Sequence, residues 1–126
     1  MNDKHAAILQ RLRYQPQKDA YLFALDAIKQ SPLYPFLQRI ILFGSCARGE
    51  ERFDSDVDLL LVFDVEIKNV PDYRRMYRAL RVAASSDELY AAETDLKLAI
   101  GNAWEASNET IYHCIRKDGI CVWERN

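Results

Sequence analysis

The chain has 126 residues, 49% of them hydrophobic and 29% charged, which suits one globular domain with a real core and leaves no room for two. Its net charge of −2 argues against a general binder of the phosphate backbone, so no direct nucleic-acid partner is expected. Cys46, Cys114 and Cys121 are odd in number and form no C-x-x-C pair, which points to neither a disulfide framework nor a thiolate zinc site. The charged N-terminus leads into an amphipathic stretch rather than a signal-peptide apolar run. No apolar stretch approaches the roughly 18 residues that span a bilayer, and a reduced, cytoplasmic protein is expected.

Ile8, Leu9 and Leu12 recur at helical spacing and predict a short helix over 3–13. Tyr21, Leu22, Leu25 and Ile28 repeat the pattern over about 17–30, and Ser31-Pro32 ends it, since proline lacks a donor and restricts the residue before it. The apolar run 39–44 reads as a buried strand, and 56–63 as a second. Val57, Leu59, Leu61 and Phe63 share one parity of that second strand and must face packed helices. The other parity starts with Asp56 and Asp58 and continues as Leu60 and Val62. Residues 71–84 follow as a helix with Tyr73, Met76, Tyr77, Leu80 and Ala84 inward, and Thr94–Ile100 alternates as a third strand. Ser107 or Asn108 can cap a last helix holding Ile111, Cys114 and Ile115. Gly119 suits a left-handed residue past its end, and 120–123 closes as a strand. The order α, α, β, β, α, β, α, β predicts a mixed α/β (α+β) sheet with helices packed on one side.

The chemistry concentrates in Gly44-Ser45 and, ten residues on, Asp56-Val57-Asp58. Aspartates at i and i+2 of a strand share a face, so both carboxylates can reach one pair of cations. Nucleotidyl transfer uses such a pair: two Mg²⁺ ions about 3.5–4 Å apart clamp the triphosphate, activate the attacking oxygen and stabilise the leaving group. Magnesium prefers oxygen ligands, typically one or two carboxylates plus phosphate oxygens. Asp95, on the polar parity of the third strand, is the candidate third carboxylate and proton acceptor; Glu93 shares its parity and stays open as an alternative. Gly44 lets the backbone approach a phosphate, and Ser45, opening a short helical turn over 45–48, offers its hydroxyl and nearby amides. Arg48 can neutralise the anion further, with Arg39 and Arg52 equally available.

Gly44-Ser45-Cys-Ala-Arg-Gly-Glu, followed by Ser-Asp56-Val-Asp58-Leu-Leu-Leu-Val, resembles the core motif of the DNA polymerase β-like nucleotidyltransferase superfamily. It is most similar to the smallest members, the MNT-domain antitoxins encoded beside HEPN-domain toxins. The likeness runs from about Arg39 to Glu124. It implies a polymerase-β palm-type sheet, ATP as donor, two Mg²⁺ and metal-binding roles for Asp56, Asp58 and a third acidic residue. It also implies AMP transfer onto a HEPN-domain toxin, which is thereby neutralised. On this reading 1–126 is one minimal nucleotidyltransferase domain, with N-terminal helices over 1–37 that carry no chemistry and a catalytic core over 38–126. The motif core takes up most of the chain, so the acceptor is expected to be another protein. Occlusion of the partner without turnover is one alternative, and transfer to a small molecule such as an aminoglycoside is another.

The remaining features read as structural. Asp54 is a turn residue. Arg74, Arg78 and Arg81 form a basic stripe on a solvated helix face. His5 reads as a surface histidine, His113 as a helix one, and Cys46 as inert. Tyr73, Tyr77 and Trp123 are expected in the core rather than against a nucleobase.

Overall fold

The structure, a computed structural model, describes residues 4–86 and 92–126; residue 3, the start of the expected first helix, lies outside them. The helices are α1 (Lys4–Arg11), α2 (Gln15–Gln30), α3 (Ser45–Arg48), α4 (Tyr73–Ala84) and α5 (Thr110–Asp118). The strands are β1 (Leu37–Phe43), β2 (Val57–Phe63), β3 (Thr94–Ile100) and β4 (Ile120–Glu124). The predicted order of elements is observed, with the short turn expected over 45–48 formed as α3 between β1 and β2. Three 3₁₀ turns, Tyr34–Phe36, Val65–Asn69 and Ala103–Ala106, join them.

Among the described residues the strands form one mixed sheet in the order β3-β2-β1-β4. β1 runs antiparallel to both β2 and β4, while β2 and β3 are parallel and joined through α4. β2 is therefore internal, and its sequence shows it: after Asp58 every residue to Phe63 is buried, as expected of a strand covered on both faces. Val57, Leu59, Leu61 and Phe63 sit in a core built with Ile8, Leu12, Tyr21, Leu25 and Ile28 of the N-terminal segment and Leu80 and Ala84 of α4. A fully buried leucine of this kind stabilises by about 2 kcal/mol.

The main helical layer lies on one side, as expected, but the other face is not bare. Leu60, Val62, Ile41, Phe43 and Ala99 pack there with Ile115 of α5 and Trp104 of the Ala103–Ala106 turn. That turn carries no helical periodicity in the sequence, so no local pattern announces it. Nor is Gly119 left-handed: its backbone is extended, at φ −68° and ψ 147°. Glycine is needed there for space instead, because a Cβ would collide with the Ile115 carbonyl and come within 2.7 Å of Ile41 Cγ2. The cap of α5 falls on Glu109, with Ser107 Oγ accepting the Glu109 amide at 3.2 Å. His5 is half-buried, not on the surface, with Nδ1 2.8 Å from the Tyr21 hydroxyl. Among the described residues no helix is long and apolar enough to cross a membrane.

Candidate active site

The site forms where β1 ends, β2 begins and β3 lies alongside. Register sets it: Asp58 pairs with Phe43 on one side and with Asp95 on the other. Parallel neighbours stand roughly 4.8 Å apart, and side chains at paired positions share a face, so the Asp58 and Asp95 carboxylates stand side by side. Asp56 lies one residue before β2, exposed, rather than inside the strand as expected. Glu93 precedes β3, and its carbonyl accepts the Val57 amide at 2.9 Å.

The Asp58 carboxyl is raised from 3.8 to about 6, first by burial and then by the charges of Asp95 and Asp56, with Arg48 opposing. A like charge nearby raises the proton affinity of a carboxylate. Asp95, directly across the ladder, is the stronger neighbour.

Gly44 closes β1 at φ 76° and ψ −158°, a region essentially reserved for glycine. A Cβ there would clash with Asp58 Oδ2. The Gly44 backbone and the Asp58 carboxylate are thus in direct apposition. Gly44, Arg48, Asp58 and Asp95 line one open cleft of about 670 Å³, with Lys97, Tyr77, Arg81 and Ile111. Asp56, Glu93 and Asp95 line an adjoining cleft of about 600 Å³. Ser45 opens α3 behind Gly44, half-buried, and lines neither. Arg48 is exposed, and its Nε donates to Glu50 Oε1 at 2.7 Å. Arg39 is not available to the site: it sits at the far end of β1, paired with Glu105 and Glu124 at 3.1 and 3.0 Å.

The N-terminal segment, to which the sequence assigns helices but no chemistry, braces α3 and the loop that leads to β2. The buried Gln17 side chain donates through Nε2 to the carbonyls of Arg52, Phe53 and Ser55, at 3.2, 2.9 and 2.8 Å. Arg11 donates to the Ala47 carbonyl, and Arg13 Nη2 to that of Gly49 at 2.7 Å. The Arg13 amide donates to Glu51 Oε2 at 3.1 Å, holding a carboxylate that is only 2% exposed. Cys46 Sγ lies 3.5 Å from the Asp56 carbonyl as its donor. Its thiol is pushed up to about 12, chiefly by burial and then by Glu51 and Asp58, which makes it inert. Gln17 had a signal: it falls on the buried stripe of α2 with Tyr21, Ala24 and Ile28, where a polar residue needs a partner. Glu51 had none.

Among the described residues, no three carboxylate, imidazole or thiol groups close into a ready metal cage. Asp58 and Asp95, with Asp56 two residues away, instead form an anionic wall beside a glycine turn. That donor set fits a hard cation completing its shell with phosphate oxygens.

The polymerase beta nucleotidyltransferase family model matches residues 28–126. The chain belongs to that family. It is a nucleotidyltransferase, and the matched region contains Gly44, Asp56, Asp58 and Asp95. Over 36 residues it is 50% identical to a Methanocaldococcus jannaschii protein named "Putative protein adenylyltransferase MJ0604". That match covers 29% of this chain and spans only 36% of the relative's length. A crystal structure from Sulfolobus solfataricus, described as a "putative nucleotidyltransferase", superimposes with a TM-score of 0.54 at 20% identity, over 98% of this chain and 86% of that one. It shows the shared fold. A structure described as "the toxin-antitoxin with AMP-PNP" covers 81% of this chain and 71% of its own at 19% identity, with a TM-score of 0.49.

Proposed function

We propose that this nucleotidyltransferase transfers AMP from ATP to a hydroxyl group of a HEPN-domain toxin and so neutralises it. The observation that carries the reading is the pairing of Asp58 with Asp95 across β2 and β3, in a cleft shared with Gly44 and Arg48. The name of the M. jannaschii relative supports transfer to a protein, and the HEPN partner follows from the motif resemblance. The triphosphate lies along Gly44 and the start of α3, with Arg48 against its charge. The acceptor oxygen bonds to the α-phosphorus, the bond from that phosphorus to pyrophosphate breaks, and Asp95 takes the hydroxyl proton. Asp56, Asp58 and Asp95 would hold two Mg²⁺, which supply charge neutralisation at the phosphates. Residues 1–37 act as a brace and 38–126 as the catalytic core, in a reducing, cytoplasmic setting that suits three free cysteines.

The test incubates the chain with labelled ATP, Mg²⁺ and the product of the neighbouring gene, and looks by mass spectrometry for an adduct of AMP less water. An adduct that disappears with Asp58→Asn and Asp95→Asn is the expected result. Full neutralisation of the partner by those variants would leave occlusion in its place.

A further inference from the structure

We infer that the acceptor segment carries acidic side chains beside its reactive hydroxyl, and that Arg78 and Arg81 of α4 read them. This rests on the proposed AMP transfer and names the acceptor side of the same site. The two clefts meet at Asp95 and Arg81, which line both. The first contains the glycine turn, Arg48 and Asp58 and so takes the donor. The second contains Asp56 and the general base Asp95 but no part of the glycine turn, and is left for the acceptor.

Its walls carry opposite charge. Asp56, Glu93 and Asp95 face Arg78 and Arg81, yet among the described residues the ion pairs are those of Arg39 and Arg48 alone. The guanidinium groups therefore stand back from the carboxylates across an open gap. α4 holds four arginines and no acidic residue, in a chain whose net charge is −2. Arg78 and Arg81 are one turn apart on one face, a spacing that suits two carboxylates or one held by both.

A second observation removes the main alternative, capture of the acceptor backbone as an added strand. β3 is the edge of the sheet. Val57 N–H donates to the Glu93 carbonyl and Gly101 N–H to that of Phe63, so the odd-numbered residues of β3 bond toward β2. The even-numbered ones point outward. Two of those outward carbonyls are already taken: Ser85 Oγ donates to Thr94 at 3.1 Å and the Tyr77 hydroxyl to Leu96 at 2.9 Å. Recognition beside Asp95 then falls to side chains, and the cationic ones lining the cleft are Arg78 and Arg81.

The experiment measures label transfer from ATP to peptides with one tyrosine flanked by glutamates, alanines or lysines, and to the partner protein. Wild type is expected to use the glutamate peptide at least tenfold better by kcat/KM than the lysine one. Arg78→Glu should reverse that order while ATP half-saturation stays within twofold, and Arg78→Lys should keep it. Arg75→Glu, on the same helix but lining neither cleft, controls for general charge and folding. Equal use of the three peptides would overturn the inference. So would an Arg78→Glu variant that weakens ATP and keeps the peptide preference, or a preparation that modifies its partner protein but no peptide. Transfer to neither peptide nor partner would instead overturn the underlying AMP-transfer reading.

Discussion

Gln17 offers a test of whether the N-terminal helices shape the catalytic loop. Its side-chain amide has two hydrogens shared among three carbonyls, those of Arg52, Phe53 and Ser55, and its own Oε1 is buried without a partner. Gln17→Leu keeps the volume near constant, so the cost is that of the lost hydrogen bonds. Each contributes about 1 kcal/mol net, more where a buried acceptor is left unmatched. Two to three such bonds amount to about 2–3 kcal/mol. For a domain of this size that is a fall of roughly 6–12 °C in Tm. Ser55 immediately precedes Asp56, so turnover should fall with stability, and it should remain low at temperatures where the variant is fully folded. Urea unfolding and AMP-transfer kinetics at 15 °C measure the two effects. A Gln17→Leu variant with unchanged midpoint and unchanged kcat would refute the idea that this amide fixes the loop.

Gly44→Ala should lose both stability and activity. The backbone strain at φ 76° costs about 1–3 kcal/mol, and the new methyl group displaces the Asp58 carboxylate, so turnover should drop at least a hundredfold in the transfer assay. Asp58 makes a pH prediction with a definite sign. Its carboxyl is raised from 3.8 to about 6 in the native state, so its contribution to stability is full below about pH 4 and is lost as pH rises through 6. A shift of that size is nominally about 3 kcal/mol, reduced to about 1 kcal/mol because the group is half exposed to screening solvent. Asp58→Asn should therefore stabilise the ligand-free protein at pH 7.5 by about 1 kcal/mol in urea titrations and flatten this part of its pH profile. Destabilisation at pH 7.5 would contradict the electrostatic account. Leu61→Ala, in the fully buried centre of β2, should cost about 3 kcal/mol without shifting the pH dependence of transfer.

The fold was legible wherever period and punctuation agree. Val57 to Phe63 is apolar but for Asp58, and burial on both faces leaves it little choice but an internal strand. Ser31-Pro32 and Pro71 punctuate helices at their observed ends to within a few residues. Parity alone puts Asp95 on the polar face of β3 and leaves Glu93 open; the register opposite Asp58 is a matter of the folded sheet. The ladder itself favours Asp95, since pairing starts at Val57 with Thr94. What stayed hidden depends on contacts far apart in sequence. Gln17 meets the loop 35 to 38 residues away, and Arg39 is drawn to Glu105 and Glu124, which no local pattern announces. Trp104 covers the second face from a turn with no periodicity. Arg78 and Arg81 were visible as a stripe, but a stripe does not say what stands across from it.

The central claim is that Asp58 and Asp95, paired across β2 and β3 beside Gly44, carry out nucleotidyl transfer. Its most direct test is AMP transfer from labelled ATP to the partner protein by wild type, Asp58→Asn and Asp95→Asn, with folding checked by urea unfolding. A stably folded Asp58→Asn and a stably folded Asp95→Asn, each transferring at least a thousandfold less label than wild type, is the predicted result. Transfer by either variant at the wild-type rate would contradict it.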